Sequence, residues 1–190
     1  MAAEDVERWS WLRAFCYALV SSNPRSNALL VDLAAPGPGD VVLDIGCGAG
    51  AAVRRAAERG ATAVGVDPSP AMVAQARRRS AGQRGVRFEV GDAAGLPLDD
   101  DSVTVALAIA TYHHWPDGRA GLAEVRRVLA PGGRLLLGEK RLRREGGHGL
   151  TDAGAAAVAD LLRTLGYQDV TVQPHRLGRF ATMHVISGRG

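Results

Sequence analysis

Short apolar runs alternate with amphipathic segments along the chain, and each run has the length of a strand. The first run, Val41 to Ile45, is rich in β-branched residues and is interrupted by a single acid, Asp44. A continuous run of this kind is typical of a strand buried on both faces of a parallel sheet. Further runs predict strands at residues 61–66, 86–90, 103–109, 135–137, 170–172 and 183–186.

The segments between these runs repeat their apolar residues at intervals near 3.6, as amphipathic helices do. Ser69 and Pro70 give one helix a cap followed by proline at its first position, and Gly60 and Gly166 follow the ends of two others. Strands thus alternate with helices almost throughout, which predicts an α/β fold with a mostly parallel, doubly wound sheet. The predicted helices cover residues 6–20, 26–33, 51–58, 70–79, 122–129 (ended by a Pro-Gly-Gly run at 131–133) and 151–165.

The chain is organised around a glycine turn that joins the first strand to a helix. Gly46, Gly48 and Gly50 alternate with small residues, and Cys47 is explained by its small size. Glycine permits the sharp bend and a close approach of ligand to backbone, and the helix that follows presents unpaired N–H groups. The turn therefore predicts a ligand site. We expect valine at Gly46 or Gly48 to abolish ligand binding and to leave the chain folded.

Polar residues also follow the next three strands. Asp67 ends the second strand roughly 20 residues after the turn, at the spacing where a carboxylate accepts hydrogen bonds from ribose hydroxyls. Asp92 and Ala93 follow the third strand, and residues 111–114 follow the fourth. Because ligands of such sheets bind beyond the carboxyl ends of the strands, these residues predict a nucleoside-containing ligand.

Taken in order, these motifs resemble those of the ubiE/type 11-like class I S-adenosylmethionine (SAM)-dependent methyltransferases. The resemblance extends over roughly residues 26–140, and its specificity lies in the ensemble of motifs. It implies a seven-stranded Rossmann-like sheet with an antiparallel last strand. It also implies transfer of a methyl group from SAM to an acceptor, with S-adenosylhomocysteine as product. The motifs are residues 42–50, 65–67, 91–97, 110–115 and 124–133.

The resemblance further implies which residues hold SAM. These are Asp44, Gly46 and Gly48 for the methionine half, Asp67 for the ribose diol, Met72, Asp92 and Ala93 for the adenine, and Ala110 beside the sulfonium, with Cys47 and Pro68 in the same loops. Three simpler roles stay open: a helix cap for Asp67, a turn residue for Asp92 and plain core packing for Met72. Where many family members carry Phe-Asp this chain has Val103 and Thr104, a departure that we expect to alter packing and not cofactor binding.

Residues 112–115, Tyr-His-His-Trp, follow the fourth strand, so we expect them to face the methyl acceptor. A histidine with an ordinary pKa near 6.5 is suited to accept a proton at neutral pH. If the backbone here is extended, the two adjacent histidines cannot both point inward, so at most one is expected to be the base. We favour His114 over His113 as the base. The alternative is a cluster that only shapes the pocket. No metal is predicted, because the other histidines, His148, His175 and His184, show no ligand spacing with one another.

Two other functions fit the same pattern. A nicotinamide-dependent oxidoreductase has this architecture, but its glycine fingerprint places the third glycine three residues after the second, and Gly50 follows Gly48 by two. A SAM-binding partner or regulatory module without catalysis would keep the whole cofactor crevice. It would differ from an active methyltransferase only in the residues on the acceptor side. The identity of the acceptor cannot be read from the motifs, since specificity lies in what covers the crevice.

Composition bounds the class of protein. The 190 residues are 46% hydrophobic with a formal net charge of +3, which predicts one soluble domain and no nucleic-acid partner. No apolar run approaches the ~18 residues of a membrane span, and Glu4 and Asp5 argue against a secretory signal. Cys16 and Cys47 form no disulfide framework, so a cytoplasmic protein without a membrane partner is predicted. The expected partner is a small-molecule acceptor, with oligomerisation left open.

We expect residues 1–35 to form a helical cover over a core at residues 36–190. Trp9, Leu12, Cys16 and Tyr17 make an apolar stripe on the first predicted helix. Such a stripe acts either as a lid over the crevice or as ordinary core packing, and amide exchange with and without SAM distinguishes the two.

Overall fold

The computed structural model describes residues 24–179 and 181–190. Within them, seven strands form one sheet: β1 Val41–Ile45, β2 Thr62–Asp67, β3 Val86–Val90, β4 Val103–Ile109, β5 Leu129–Lys140, β6 Gln168–Arg176 and β7 Thr182–Arg189. The spatial order is β3-β2-β1-β4-β5-β7-β6. The first five strands pair in parallel, whereas β7 is antiparallel to both β5 and β6. The predicted fold class is confirmed, including the antiparallel last strand.

The described residues also form five helices, α1 Pro24–Ala34, α2 Ala51–Glu58, α3 Pro70–Arg79, α4 Gly118–Val128 and α5 Asp152–Thr164, with a 3₁₀ turn at Tyr112–His114. Side-chain caps start three of them, and the predicted cap Ser69 accepts a hydrogen bond from the Met72 N–H at 3.4 Å. Asp117 caps α4 and Thr151 caps α5 in the same way. The helix starts are therefore encoded locally.

The fourth of these helices ends earlier than its sequence predicts. The helix α4 stops at Val128, and Leu129 already belongs to β5. Leu129 is fully buried in the core, and the residue before Pro131 is biased towards extended backbone. The Pro-Gly-Gly run then pairs with the end of the chain, because the Gly190 N–H donates to the Gly133 carbonyl at 2.7 Å. Core packing and strand pairing thus overrule the helical periodicity.

The helices pack on both faces of the sheet. On one face Leu30 and Val31 of α1 are fully buried together with Val53 of α2. On the other face Leu122 of α4 packs with Leu162 of α5. Residues 24–34 therefore contribute to the core. The predicted helix at residues 6–20, its apolar stripe and the lid lie outside the described residues, so the N-terminal cover stays a prediction.

Val103 and Thr104, which stand where many family members carry Phe-Asp, lie at the start of β4, at the amino end of the sheet. Thr104 Oγ1 donates to Asp40 Oδ1 at 2.7 Å and accepts from the Val41 N–H at 3.0 Å. This contact ties the start of β4 to the start of β1, at the opposite edge from the glycine turn, which agrees with the expected role in packing. Among the described residues, every helix is too short or too polar to cross a bilayer.

Candidate functional site

The glycine turn between β1 and α2 is held against the end of β2 by backbone hydrogen bonds. The N–H groups of Gly46 and Cys47 both donate to the Val66 carbonyl, at 2.8 and 3.1 Å. The Gly48 N–H donates to Asp67 Oδ2 at 2.8 Å. These bonds fix the turn, so the backbone facing the crevice is preorganised before any ligand binds.

The three glycines of the turn have different surroundings, although all have positive φ angles of 69°, 51° and 76°. A Cβ on Gly46 would collide with the Thr111 side chain, and one on Gly50 would lie 2.6 Å from Phe88. A Cβ on Gly48 meets no atom within 4 Å. Gly48 alone of the three opens onto free space. Valine at Gly46 would therefore displace Thr111, which speaks against the expectation that this variant keeps the fold intact, whereas at Gly48 the space for a side chain exists.

Asp67 holds the turn and the next helix together. Its Oδ2 accepts from Gly48 N–H, and its Oδ1 accepts from the Ser69 N–H at 2.9 Å. Burial raises the pKa of Asp67, and the two N–H donors oppose that rise. Each carboxylate oxygen carries a further lone pair. The bond to the Ser69 N–H shows that Asp67 also contributes to the start of α3. The remaining lone pairs of its carboxylate can still accept a hydrogen bond from a ribose hydroxyl.

Asp44 is a nearly fully buried acid near the end of β1, with 3% of its surface exposed. It makes no hydrogen bond with any residue that the structure describes. Burial raises the pKa of Asp44 to about 8, and the negative charge of Asp67 adds to the rise. A buried carboxyl without a partner fits a cationic ligand, because a nearby positive charge would favour its ionised form.

The raised pKa of Asp44 predicts a pH-dependent stability. Between pH ~4 and the value of about 8, folded chains hold a proton that unfolded chains have lost, so this group destabilises the fold increasingly as pH rises. Asp44→Asn removes the charge. We expect it to raise the free energy of unfolding relative to wild type by more at about pH 8.5 than at about pH 5, measured by urea unfolding. An equal difference at both pH values would contradict a buried, unpartnered Asp44.

Met72 and the Asp92 loop are the residues predicted for the adenine. Met72 is 7% exposed and packs with Ala49 of the glycine turn, in a small cluster separate from the two main cores. The position of Met72 beside the glycine turn favours a role as part of the crevice wall over a role in plain core packing. Asp92 is exposed, and its Oδ1 accepts from the Ala94 N–H at 2.8 Å, a turn bond that leaves Oδ2 available. Ala93 is buried behind it.

The chain leaves β4 through a strained residue. Ala110 has a φ of +53°, a conformation that non-glycine residues adopt only rarely and that clusters at functional sites. Its N–H donates to the Gly138 carbonyl of β5 at 2.8 Å. This bend directs residues 111–115 over the crevice. Pro68, the other predicted loop residue, is exposed at the end of β2.

His113 is bound to a buried acid at the end of β5. His113 Nδ1 lies 2.8 Å from Glu139 Oε2, and the His113 N–H donates to Glu139 Oε1 at 3.4 Å. The Glu139 side chain is 0% exposed and that of His113 is 11% exposed. A carboxylate at Nδ1 fixes the proton on that nitrogen, so Nε2 presents a lone pair. This pair is the arrangement of an oriented general base.

His114 and His148 complete a group of three imidazoles. The backbone at residues 112–114 is a 3₁₀ turn, so the extended geometry that would separate the two histidines is not present. The His113 and His114 ring centroids are 4.0 Å apart. His148 Nδ1 lies 3.3 Å from His113 Nε2. Burial lowers the pKa of His114, and the neighbouring His113 and His148 lower it further.

The loop after β5 carries His148 to this place. The Leu142 N–H donates to the Leu150 carbonyl at 2.8 Å, and the Leu150 N–H donates to the Lys140 carbonyl at 2.9 Å. These two bonds close the loop, so its residues turn back over the end of the sheet. The other two histidines of the described residues lie outside this group. His184 is buried, with its Nε2 3.0 Å from Asp152 Oδ1, and His175 lies on β6.

One contributor to the site, Glu139, is absent from the residues predicted. It lies near the carboxyl end of β5, as Asp67 lies at the carboxyl end of β2, and this shared position is a usable signal. Thr111 packs against Gly46 and thereby joins the glycine turn to the histidine turn. Most of the predicted residues lie on the turns and strand ends at the carboxyl edge of the sheet: Asp44, Gly46, Cys47, Gly48, Asp67, Ala110, His113 and His114. Met72 lies in the first turn of α3.

Comparison with known proteins decides the family. The family model Methyltransf_11, described as a methyltransferase domain, matches residues 43–137, which is half of the chain. The chain belongs to the Methyltransf_11 family. The matched region begins in β1 and ends in β5, and it includes both the glycine turn and the histidine turn.

Two curated bacterial methyltransferases are similar in sequence to part of this chain. The demethylmenaquinone methyltransferase of Clavibacter sepedonicus is 39% identical over 105 residues, 55% of this chain and 43% of that protein. The 27-O-demethylrifamycin SV methyltransferase of Amycolatopsis mediterranei is 37% identical over 139 residues, 70% of this chain and 48% of that protein. The chain thus spans less than half the length of these curated relatives.

A solved structure shares the fold. The Burkholderia thailandensis 1,6-didemethyltoxoflavin-N1-methyltransferase, with 1,6-didemethyltoxoflavin and S-adenosylhomocysteine bound, superposes with a TM-score of 0.70 at 22% identity, covering 100% of this chain and 91% of that one. The cofactor of the family is SAM. The open space at Gly48, the spare acceptor capacity of Asp67 and the unpartnered Asp44 carboxyl fit a cationic nucleoside of this kind.

Proposed function

We propose that this methyltransferase domain transfers the methyl group of SAM to a small molecule that loses a proton in the reaction, either a hydroxyl or an acidic carbon. The observation that carries the proposal is the contact between two turns. The glycine turn, open at Gly48, packs through Gly46 against Thr111, two residues before the His113–Glu139 pair. A cofactor crevice and an oriented proton acceptor are therefore neighbours.

SAM supplies a methyl group that its sulfonium already activates. The protein contributes the cradle: Gly48 leaves room for the ligand, Asp67 accepts hydrogen bonds from the ribose hydroxyls, and Met72 lies against the adenine. Ionisation of Asp44 on binding would balance the positive charge. Orienting acceptor and methyl group in this way accounts for roughly 7–11 kcal/mol of a transfer barrier.

His113 removes the proton from the acceptor. Its Nδ1 proton is held by Glu139, so Nε2 is the accepting atom, and the buried carboxylate stabilises the imidazolium that forms. The Glu139 carboxylate contacts the His113 ring directly, with Oε2 2.8 Å from Nδ1. We therefore assign the base to His113, the second choice made from the sequence, and place His114 beside the acceptor.

A small acceptor is supported by the relatives and by the charge of the chain. The names of the Amycolatopsis relative and of the Burkholderia structure refer to small molecules, 27-O-demethylrifamycin SV and 1,6-didemethyltoxoflavin. A formal net charge of +3 over 190 residues is too small to indicate a nucleic-acid surface. The cytoplasmic location and the open question of oligomers stay predictions.

The test is transfer of label from methyl-labelled SAM to a small molecule in a metabolite extract. A labelled small molecule supports the proposal. Binding of SAM without any labelled product favours the non-catalytic module, and binding of NAD in place of SAM favours the oxidoreductase.

A further inference from the structure

Three imidazoles from two distant segments converge at the acceptor side of the crevice. His113 and His114 lie on the 3₁₀ turn after β4, and His148 lies on the loop after β5, 34 residues beyond His114 along the chain. One ligand nitrogen from each ring can be chosen so that all three lie within 4.8 Å of one another. Histidine is the commonest protein ligand of transition metals.

The spacing of two of these nitrogens is that of neighbouring ligands on one ion. Metal–nitrogen bonds of about 2.0–2.1 Å at a tetrahedral angle place two ligand nitrogens about 3.3–3.4 Å apart. His148 Nδ1 lies 3.3 Å from His113 Nε2. The ring centroid of His148 is 5.3 Å from that of His113 and 5.4 Å from that of His114, so the three rings form one compact group.

A buried carboxylate stands behind one of the three rings. Glu139, 0% exposed, contacts the Nδ1 of His113 at 2.8 Å and leaves Nε2 directed at His148. Metal-binding histidines almost always place their other nitrogen against a carboxylate or carbonyl, which fixes the tautomer and raises ligand basicity. The tautomer that Glu139 selects is the one that ligation through Nε2 requires.

We propose that His113, His114 and His148 bind a divalent transition-metal ion of the zinc class through three imidazole nitrogens. Three protein ligands leave the fourth tetrahedral position to water or to another oxygen. Magnesium and calcium are disfavoured, because they prefer oxygen ligands and this group offers nitrogen. The proposal departs from the metal-free expectation, which compared His148 with His175 and His184 and not with the pair at 113 and 114.

Metal binding and proton acceptance use the same atom. A bound ion occupies the lone pair of His113 Nε2, so the metal-loaded chain cannot use that nitrogen as a base. Metal and proton therefore compete at His113. The binding claim itself is independent of methyl transfer, and it is measured without SAM or acceptor.

The experiment is titration of the full, tag-free chain with Co²⁺, followed by its visible d–d absorption, with Zn²⁺ displacing Co²⁺ in a second step. We expect one Co²⁺ per chain with a tetrahedral spectrum. His148→Ala should weaken binding at least about tenfold, and Glu139→Gln should weaken it about 10–100-fold. His148 is an exposed loop residue, so its loss does not endanger the fold.

His175→Ala is the matched control, because it removes a histidine outside the group. It should bind Co²⁺ as wild type does. Circular dichroism of each variant checks the fold. A wild-type chain without a tetrahedral Co²⁺ spectrum would overturn the proposal, and so would a His148→Ala chain that binds Co²⁺ as tightly as the His175→Ala control.

Discussion

Replacing Gly48 with asparagine is expected to weaken SAM binding at least about a hundredfold, which corresponds to ~2.7 kcal/mol, while the chain stays folded. Gly48 has a φ of +51°, and asparagine is among the few residues that tolerate this left-handed conformation. The added side chain enters the open space beside the turn, where no atom of the described residues lies within 4 Å of a Cβ. The loss is thus one of space for the ligand and not of backbone conformation.

Gly132→Asn is the matched control for this experiment. Gly132 also has a positive φ, +75°, and a Cβ there meets no atom within 4 Å, but it lies at the start of β5, at the opposite edge of the sheet. Calorimetric titration with SAM should give wild-type affinity for Gly132→Asn, and no chain should bind NAD. Equal SAM affinity in Gly48→Asn and Gly132→Asn would remove the turn from the cofactor site.

Gly50→Ala separates the packing role of the turn from its binding role. A Cβ on Gly50 would lie 2.6 Å from the Phe88 ring, a contact that real Cβ atoms do not show. This variant should unfold at lower urea concentration than either asparagine variant. The comparison shows whether loss of SAM binding comes with loss of stability or without it.

The second large effect is expected at the His113–Glu139 pair. His113→Ala should lower turnover about 10²–10⁴-fold with SAM affinity unchanged, because it removes the proton acceptor and no cofactor contact. Higher pH should restore part of the activity as the acceptor ionises by itself. Glu139→Gln keeps the size of the buried side chain and removes its charge, so turnover should fall there as well.

His114→Ala controls for general damage to the histidine turn. It should reduce turnover less than His113→Ala, since the carboxylate contacts His113. The assays contain a chelator, so that a metal ion at the three histidines does not occupy His113 Nε2. A larger loss in His114→Ala than in His113→Ala, or losses that follow weakened SAM binding, would exclude His113 as the base.

Local signals explain why much of the fold was predictable from the sequence. The Ser69–Pro70 pair marks the start of α3, because cap and proline both act within one turn. The β-branched run of β1 and the acid Asp67 at the end of β2 are enough to predict a crevice at the carboxyl edge of the sheet, even when the packing is not known. Where tertiary contacts decided the matter, prediction failed: α4 ends at Val128 because Leu129 is required in the core.

The acceptor side of the site was less predictable, because its geometry depends on contacts between distant segments. The 3₁₀ turn at residues 112–114 brings both histidines to one group, which an extended backbone would not do. His148 reaches them through a loop closed by the Leu142–Leu150 pairing, and no spacing rule relates it to residue 113. Glu139 could be singled out from the sequence as an acid near the carboxyl end of β5, but its partner could not be named.

The measurement that tests the central claim most directly is methyl transfer itself. The full chain is incubated with methyl-labelled SAM and a protein-free metabolite extract, with the Gly48→Asn chain as blank, and the small molecules are separated and counted. We predict a labelled small molecule, formed with S-adenosylhomocysteine, in the wild-type reaction and not in the blank. Absence of any labelled small molecule from extracts in which the wild-type chain is saturated with SAM would contradict the account.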